Sequence, residues 1–523
     1  MSFVDRSLNC FQIHWNGFFY FLSPLHILPL LFLKPELEWR TIFLISWAFI
    51  WYLVDVVPVG VTGLLPIIFY PMMGVMGSQE ICMSYARDAQ VLFLLCNFVA
   101  ATIQHCNVNK RYAFFIMSAF SCDPKKLLLI LMLTSYVLTT FLPPAIVCAL
   151  MMPIIRAILQ LLDQTSICKA IDEAVILKDD ETPYPSKVAN AFYIGVAYAI
   201  NIGSITSSIA SDSGLALREV IKNESSLSNL DNNFHLKYIL ISLPVSLTLL
   251  IFTTLYLEFI FLGFKRSLSS AAQAITYEKE SSRLALESVA QEIPPYNTHM
   301  ILASVLYFGS CIGITVGSLV GQEINDKVVK FSFNAMLLCF LYFVLPNNCD
   351  FCNYFRCSKP TEYKTSPSIL TWAAANKLTP WKYFFVHGSS LAFGLVMKSS
   401  SLHLFIGDGL LRMKNLLAQQ LGFIGLTMLL TLMGANSSVA DLMLKMSLKA
   451  VGDNSAALLL YPIAWSCCLT FLLPVSSTAN CFAGGWGNLR AKEMILAGIG
   501  PTVFGFLLAA VMCPLMNLSS LFN

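Results

Sequence analysis

The residues best placed for chemistry in this 523-residue chain are polar or conformation-breaking groups set inside long apolar runs. In the first half, Pro143-Pro144-Ala145 interrupts one run, and Ser207 and Ser208, then Ser211-Asp212-Ser213-Gly214, interrupt another. In the second half, Gly434-Ala435-Asn436-Ser437-Ser438 and the stretch from Pro474 through Ser476, Ser477 and Thr478 to Asn480 do the same. A helix broken in this way frees carbonyls and N–H groups, which coordinate ions or anionic groups near the membrane midplane. Prolines and glycines also merely kink packed membrane helices. One break would favour that plainer reading; four, paired across the halves, favour a site. The pairing extends to spacing: Leu95 to Pro143 is 48 residues and Gly388 to Ala435 is 47.

Three ionisable groups sit near these breaks. Asp212 has no basic neighbour in sequence, so burial would raise its pKa and let it carry a proton. The alternative is that it caps the amides of Ser213 and Gly214 as a charged residue. Asp441 and Lys445 stand four residues apart, acid first, the favourable order for a helical ion pair, and mutual neutralisation is their simpler account.

No enzyme or metal signature competes. The seven histidines show no HExxH spacing, Gly484-Gly485-Trp486-Gly487 lacks the preceding strand of a dinucleotide fingerprint, and there is no G-x-S-x-G or P-loop. Cys349, Cys352 and Cys357 cluster in a polar stretch, but no second CxxC or histidine pair completes four zinc ligands, so free thiols are expected. Without a nucleophile–base pair or a metal constellation, the chain does not read as an enzyme.

The elements that must position these groups are membrane helices. Only 12% of residues are charged, against roughly 25% in soluble domains, while 56% are hydrophobic and the mean hydropathy is +0.68. That leaves too little charged surface for a water-soluble fold and excludes disorder. A net charge of +3 gives no basic face for nucleic acid. Runs of about the 20 residues that cross a bilayer occur near 17–33, 41–57, 60–77, 112–134, 136–161, 188–210, 237–263, 299–319, 332–346, 421–444, 455–473 and 494–516. Runs near 90–105 and 382–398 are too short or too polar for simple spans and suit re-entrant hairpins buried against protein. The runs are continuous rather than alternating, which excludes a porin-like barrel.

Polar stretches lie at 163–187, 218–233 and 267–292, the last read as a solvated linker rather than a short amphipathic helix. The expected fold is therefore an all-α polytopic membrane protein. Residues 1–266 would form an N-terminal membrane half, 267–298 a polar linker and 299–523 a C-terminal membrane half. No signal peptide is expected in the first 20 residues, and Asn517 begins a glycosylation sequon near the end of the chain.

Several short motifs, in order and spacing, resemble the divalent-anion/sodium symporter family (solute carrier family 13), which includes animal sodium–dicarboxylate and citrate cotransporters. Tyr52-Leu-Val-Asp55-Val-Val-Pro58-Val-Gly-Val-Thr62-Gly-Leu-Leu-Pro66 looks like its W-C-T-E-x-x-P-x-x-V-T-x-L-L-P. Tyr85 and Asp88 ahead of Leu92-Phe93-Leu94 look like its Y-x-x-D…LFL, and Asn107-Val-Asn-Lys110-Arg111-Tyr-Ala113 is similar to N-L-H-K-R-I-A. Further matches are Met151-Met152-Pro153-Ile154, Leu370-Thr-Trp372 nine residues before Trp381, and Leu473-Pro474-Val475 through Asn480.

The resemblance implies about eleven spanning helices and two re-entrant hairpins in inverted repeats, forming a homodimer with an elevator-like transport domain. It also implies a plasma-membrane location among lipid, no cofactor, sodium as a coupling ion, and di- or tricarboxylates such as succinate or citrate as substrates. In the family each half carries a Ser-Asn-Thr at a hairpin tip. Aligned without gaps on Met151-Met152-Pro153, the first triplet falls on Pro143-Pro144-Ala145, which offers no side-chain oxygen. The second falls on Ala435-Asn436-Ser437, and hairpin glycines become Leu95-Cys96 and Gly388-Ser389-Ser390. Substrate contacts are thus implied at Asn436, Ser437, Ser389 and Ser390, and cation contacts at Ala435, Asn436, Ser437, Ser477 and Asn480. The first-half site is degenerate: Pro143, Pro144, Ala145, Ser207, Ser211 and Asp212. Two rival expectations follow from the lost triplet, a transport-deficient relative kept as a membrane scaffold or regulator, and a transporter with proton coupling or an altered substrate.

Overall fold

Prolines and small polar residues decide where the apolar runs become separate helices. In the computed structural model the described residues are 17, 20, 22–25, 28–29 and 36–518, apart from 56, 121, 173–182, 210, 224–233, 265–272, 274, 276, 278, 291–292, 321–322, 325–326, 329–330, 349–364, 414 and 451–455. Cys349, Cys352 and Cys357 lie outside the described residues, as does much of the 17–33 run.

The expected run 112–134 is two elements, Val108–Ala119 and Pro124–Phe141. Asp123 separates them: its carboxylate accepts from the Lys125 amide at 3.1 Å, and Pro124 takes the first helical position, where a missing N–H costs nothing. A second double signal, Pro143-Pro144, ends that helix and starts Pro144–Gln164. Pro143 is held extended (φ −56°, ψ 143°) because the ring of a following proline disfavours the helical region. The run 60–77 is likewise not one span but two short helices, Val59–Thr62 and Leu65–Met72.

Among the described residues, seven helices are long and apolar enough to cross a bilayer: Leu37–Val54, Pro124–Phe141, Pro144–Gln164, Lys187–Thr206, Phe234–Phe261, Thr298–Val316 and Ala491–Met512. Nine result if two bent pairs each count as a span. These pairs hold the runs expected to be re-entrant. Residues 90–105 lie in the unbroken helix Asp88–His105, bent 40° from Ser78–Ser84, and 382–398 lie in the unbroken helix Trp381–Ser399, bent 66° from Leu404–Leu410. The breaks flank these runs instead of splitting them. The one sheet among the described residues is a two-stranded hairpin, Glu323–Ile324 with Lys327–Val328.

Two stretches expected as polar connections contain helix. Residues Lys279–Ala290 form a helix within the 267–292 segment, and Leu286 is buried where this helix meets Pro144–Gln164. One apolar face found a partner, which outweighed the charge of its exposed side. The helix Asp212–Asn223 also runs into the stretch read as the loop 218–233.

The element order repeats between halves. Pro124–Phe141, a two-residue break and Pro144–Gln164 precede Lys187–Thr206, a break and Asp212–Asn223; Phe234–Phe261 follows. Later, Leu416–Thr431, a break and Asn436–Ala450 precede Ala456–Ser466, a break and Thr478–Gly487; Ala491–Leu518 follows. Packing then crosses between the halves. The helix at Pro144 packs on the helix at Thr478, and the helix at Asn436 packs on the helix at Asp212.

Lys187–Thr206 is central, with every residue from Val188 to Thr206 buried. Apart from its tyrosines and Asn190 and Asn201 it is apolar or small all round, as befits a helix enclosed on every side. Small residues let its neighbours close in, as membrane packing requires. A Cβ on Gly203 would stand 2.8 Å from the Tyr136 carbonyl oxygen. Phe234–Phe261 instead keeps Leu240, Ile251 and Leu255 exposed on its outer side, the surface a lipid-facing helix presents.

Candidate functional site

Four of these helices begin at one cavity. It holds about 600 Å³ of empty space, open mouth included, and is lined by Pro144, Asp212, Asn436 and Thr478, the first residues of their helices. A helix start carries amides that no carbonyl of its own helix can reach, and the positive end of the helix dipole. Four starts around one space make a field that favours an anion. No lysine or arginine is among the lining residues, and Asp212 is the one acidic side chain there.

The second break is built from its own side chains. Ser477, extended at φ −150°, caps the Thr478 helix by accepting from the Asn480 amide at 3.1 Å. Asn480 turns away from the cavity: its Nδ2 donates to the carbonyls of Thr470 (2.8 Å) and Leu473 (3.0 Å), and its Oδ1 accepts from Asn201 (3.1 Å). One carbonyl freed by the break, Phe471 O, is met by the buried Tyr198 hydroxyl at 2.5 Å, and Met494 O stands 2.9 Å from the same hydroxyl.

The first break is held by the same kind of device. Ser211 Oγ accepts from the Gly214 amide at 2.9 Å, so Ser211 caps the start of this helix. Gly214 sits so close to Ser208 that a Cβ would lie 2.5 Å from the Ser208 Cα. Just before the break, Thr206 Oγ1 lies within hydrogen-bond distance of both the Tyr136 hydroxyl (2.9 Å) and Ser246 Oγ (2.8 Å). Asp212 is exposed. The burial on which a proton-carrying aspartate is premised is therefore not found.

Of the residues expected at the site, Pro144, Ser211, Asp212, Ser390, Ala435, Asn436, Ser437 and Ser477 line the cavity. Pro143, Ala145, Ser207, Ser389 and Asn480 do not. Ser389 points the other way, its Oγ 2.8 Å from the Tyr52 hydroxyl and donating to Val386 O. Ser207 Oγ accepts from the Ile209 amide at 3.3 Å within the break. Asn436 Oδ1 is buried with no hydrogen-bond partner among the described residues, an unsatisfied acceptor on a residue that lines the cavity. Asn517 falls in the last turn of Ala491–Leu518.

Ser204, Ser213 and Thr478, which belong to the breaks but were given no role at the site, also line the cavity, together with Asn201, His387 and Cys468, which sequence reasoning did not place there. His387 is the most informative. Gln90 donates Nε2–H to Phe384 O (2.7 Å), which turns its Oε1 toward His387 Nδ1 at 2.6 Å. The histidine thus donates from Nδ1 and accepts the Thr478 hydroxyl at Nε2, 3.2 Å away, while its ring stacks on Phe93 at 4.5 Å. A search for metal spacing along the chain cannot find a histidine whose partners are 297 and 91 residues distant. Among the described residues no group of His, Cys, Asp or Glu is arranged to hold a metal ion.

Asp441 and Lys445 pair as their spacing implies, and Lys398 joins them, its Nζ 3.5 Å from the second Asp441 oxygen. Asp441 is therefore shared by two lysines from two helices.

Comparison with known proteins places this cavity in context. The family described as the sodium:sulfate symporter transmembrane region matches residues 14–518. The chain is 29% identical to "Protein I'm not dead yet" of Drosophila melanogaster, covering 97% of this chain and 89% of that protein. It is 23% identical to a Na(+)/citrate cotransporter of Rattus norvegicus (93% and 91% covered) and 22% identical to Na(+)/dicarboxylate cotransporter 3 of Homo sapiens (94% and 90% covered). The match runs through both halves and all four breaks, so the chain belongs to the sodium:sulfate symporter family, integral membrane transporters rather than enzymes.

Proposed function

We propose that this protein is a secondary active transporter of small organic anions at the plasma membrane, coupled to a cation and moving its cavity between the two sides by an elevator-like displacement. The convergence of four helix starts on one cavity carries the reading, since that field attracts a carboxylate without a lysine or arginine. The names of its relatives, citrate and dicarboxylate cotransporters, support succinate and citrate as first substrates and sodium as the coupling ion. The crossed packing of the two halves supports inverted repeats, and the family resemblance alone suggests about eleven spans, two hairpins and a homodimer.

Asn436 and Ser437 hold a substrate carboxylate, with Ser390 beside them, and the buried Asn436 Oδ1 takes a donor or a cation. Ala435, Ser477 and the carbonyls around the second break serve the cation. The first-half site has Pro143-Pro144-Ala145 and no side-chain oxygen there, so fewer sodium ions accompany each substrate than in relatives with both triplets.

The test is uptake of radiolabelled succinate and citrate into cells expressing the full chain, with and without external sodium. Sodium-dependent uptake above control is the expected result. The second reading, a transport-deficient relative serving as scaffold or regulator, rests on the same prolines. It stands if the protein reaches the surface and carries neither substrate.

A further inference from the structure

His387 is fixed in one hydrogen-bonding state by a group that has no choice. Phe384 O, a main-chain carbonyl, can only accept, so Gln90 turns its NH₂ group to it (2.7 Å) and its Oε1 to His387 Nδ1 (2.6 Å). Nδ1 therefore carries the proton, and Nε2 of the neutral ring carries a lone pair. That lone pair stands 3.2 Å from Thr478 Oγ1, so the threonine is the donor. Gln90 and His387 are both buried. The imidazole lies flat on the Phe93 ring, with 5° between the planes, which keeps it in this orientation.

The consequence falls on Thr478, which lines the cavity and is partly exposed. A hydroxyl has a single proton. With that proton committed to His387, Thr478 Oγ1 has only lone pairs left to offer. Asn436, another residue lining the cavity, brings a second oxygen of this kind, the buried Oδ1 with no partner among the described residues. Oxygens that only accept are ligands for a hard cation. The helix starts disfavour a bare cation here, so a cation is stable only together with the carboxylate that the same starts attract.

We infer that Thr478 Oγ1 is a ligand of the coupling cation, and that His387 is the positioning residue that keeps its lone pairs free, with Gln90 fixing the histidine tautomer. The cation and the substrate carboxylate bind as a pair, each raising the affinity for the other. An uncommitted hydroxyl at this position could turn its proton to the carboxylate and hold the anion without the cation. His387 removes that option and so ties substrate binding to the cation. The inference rests on the cation-coupled transport reading.

The test titrates sodium chloride against choline chloride in two assays of the full chain. One is uptake of radiolabelled succinate and citrate by expressing cells, with surface protein measured in parallel. The other is the melting temperature of the detergent-purified protein with each acid present. His387→Gln keeps an acceptor within reach of Thr478 and His387→Leu removes it. Thr478→Ser keeps the hydroxyl and Thr478→Val, nearly the same in shape, removes it. The expected result is that half-saturating sodium rises at least about tenfold in His387→Leu and Thr478→Val, the scale of losing one interaction with a charged group. His387→Gln and Thr478→Ser stay close to the natural sequence, and the KM for the acid at saturating sodium moves little in all four.

Natural sodium dependence in His387→Leu or in Thr478→Val overturns the inference. So does a His387→Gln protein as impaired as His387→Leu, since the ring and not its lone pair would then be the requirement. A changed KM with sodium dependence untouched assigns Thr478 to the substrate and also overturns it. Uptake by the natural sequence that ignores sodium overturns it while organic-anion transport stands. If the chain reaches the surface and carries neither acid, the transport reading falls and the melting temperature decides the inference alone. Stabilisation by sodium that is lost in the two variants then supports it, and no stabilisation of the natural sequence overturns it. Where His387→Leu fails to fold, Thr478→Val decides, its fold verified by its melting temperature in choline.

Discussion

Asn201 donates to Asn480 at 3.1 Å, joining the helix before the first break to the helix after the second across 279 residues of sequence. Both side chains also donate to the Thr470 carbonyl, at 3.3 Å and 2.8 Å. One carbonyl freed by the second break is thus held by an amide from each half. The breaks are braced against each other, which is how two discontinuous helices keep a defined cavity between them.

Asn201→Ala removes that brace and leaves Asn480 Oδ1 buried without a donor. The expected cost is about 1–3 kcal/mol, read as a lower melting temperature of the detergent-purified protein. A variant that melts like the natural sequence would show that the Asn480 bonds within its own break suffice.

Asn436→Ala should remove whatever uptake the protein supports, with surface expression retained. The side chain is partly exposed to the cavity and makes no hydrogen bond through Oδ1, so its loss disturbs little of the fold. Uptake that persists with unaltered affinity would move the substrate site elsewhere.

The pH profile tests Asp212. It is exposed, so the burial that proton coupling through this residue would require is absent. Uptake should not rise as external pH falls between about 8 and 6, and Asp212→Asn should give the same profile shape. A rise on acidification that Asp212→Asn abolishes would restore proton coupling.

Gly214→Ala should be damaging although the change is one methyl group. The added Cβ would lie 2.5 Å from Ser208 Cα and 3.0 Å from Ser208 O, and backbone cannot step aside as a flexible side chain can. A loss of about 1–3 kcal/mol is expected, with reduced surface expression as the readout. Gly309→Ala, where no atom lies within 4 Å, is the matched control and should express normally.

The Asp441 cluster should matter little to stability. Its lysines are 62% and 60% exposed in their side chains and Asp441 is 35% exposed, so solvent screens the attraction. Asp441→Asn is expected to cost no more than about 1 kcal/mol. A larger fall in melting temperature would mean that the cluster is buried in the functional assembly.

The helical membrane class, the four breaks and the family were legible in the residues themselves. Hydropathy is a sum over composition, and a proline or an Asp-Pro pair acts within a residue or two of itself. Pro144 therefore begins a helix wherever that helix packs, and Asn436-Ser437 had only to be placed opposite a partner. Ser211 was seen as part of the first break, but its role as the acceptor for the Gly214 amide was not, since only the local backbone decides which neighbouring oxygen meets that amide. Exposure was not legible. Asp212 in an apolar run reads as buried, but its burial depends on which way its helix starts and what stands opposite.

What the tertiary structure alone decided is which polar groups meet. Ser389 and Ser390 are neighbours in sequence, and one faces Tyr52 while the other lines the cavity, because successive residues on a helix point about 100° apart. His387 became informative only when Gln90, Phe93 and Thr478 arrived from other segments. Asn480, expected at a cation, is instead spent on the Thr470 and Leu473 carbonyls and on Asn201. Local chemistry dictates where a chain breaks. Only the crossed packing of the two halves sets what the breaks face, since hydrogen-bond partners of this kind are chosen by distance in space and not along the sequence.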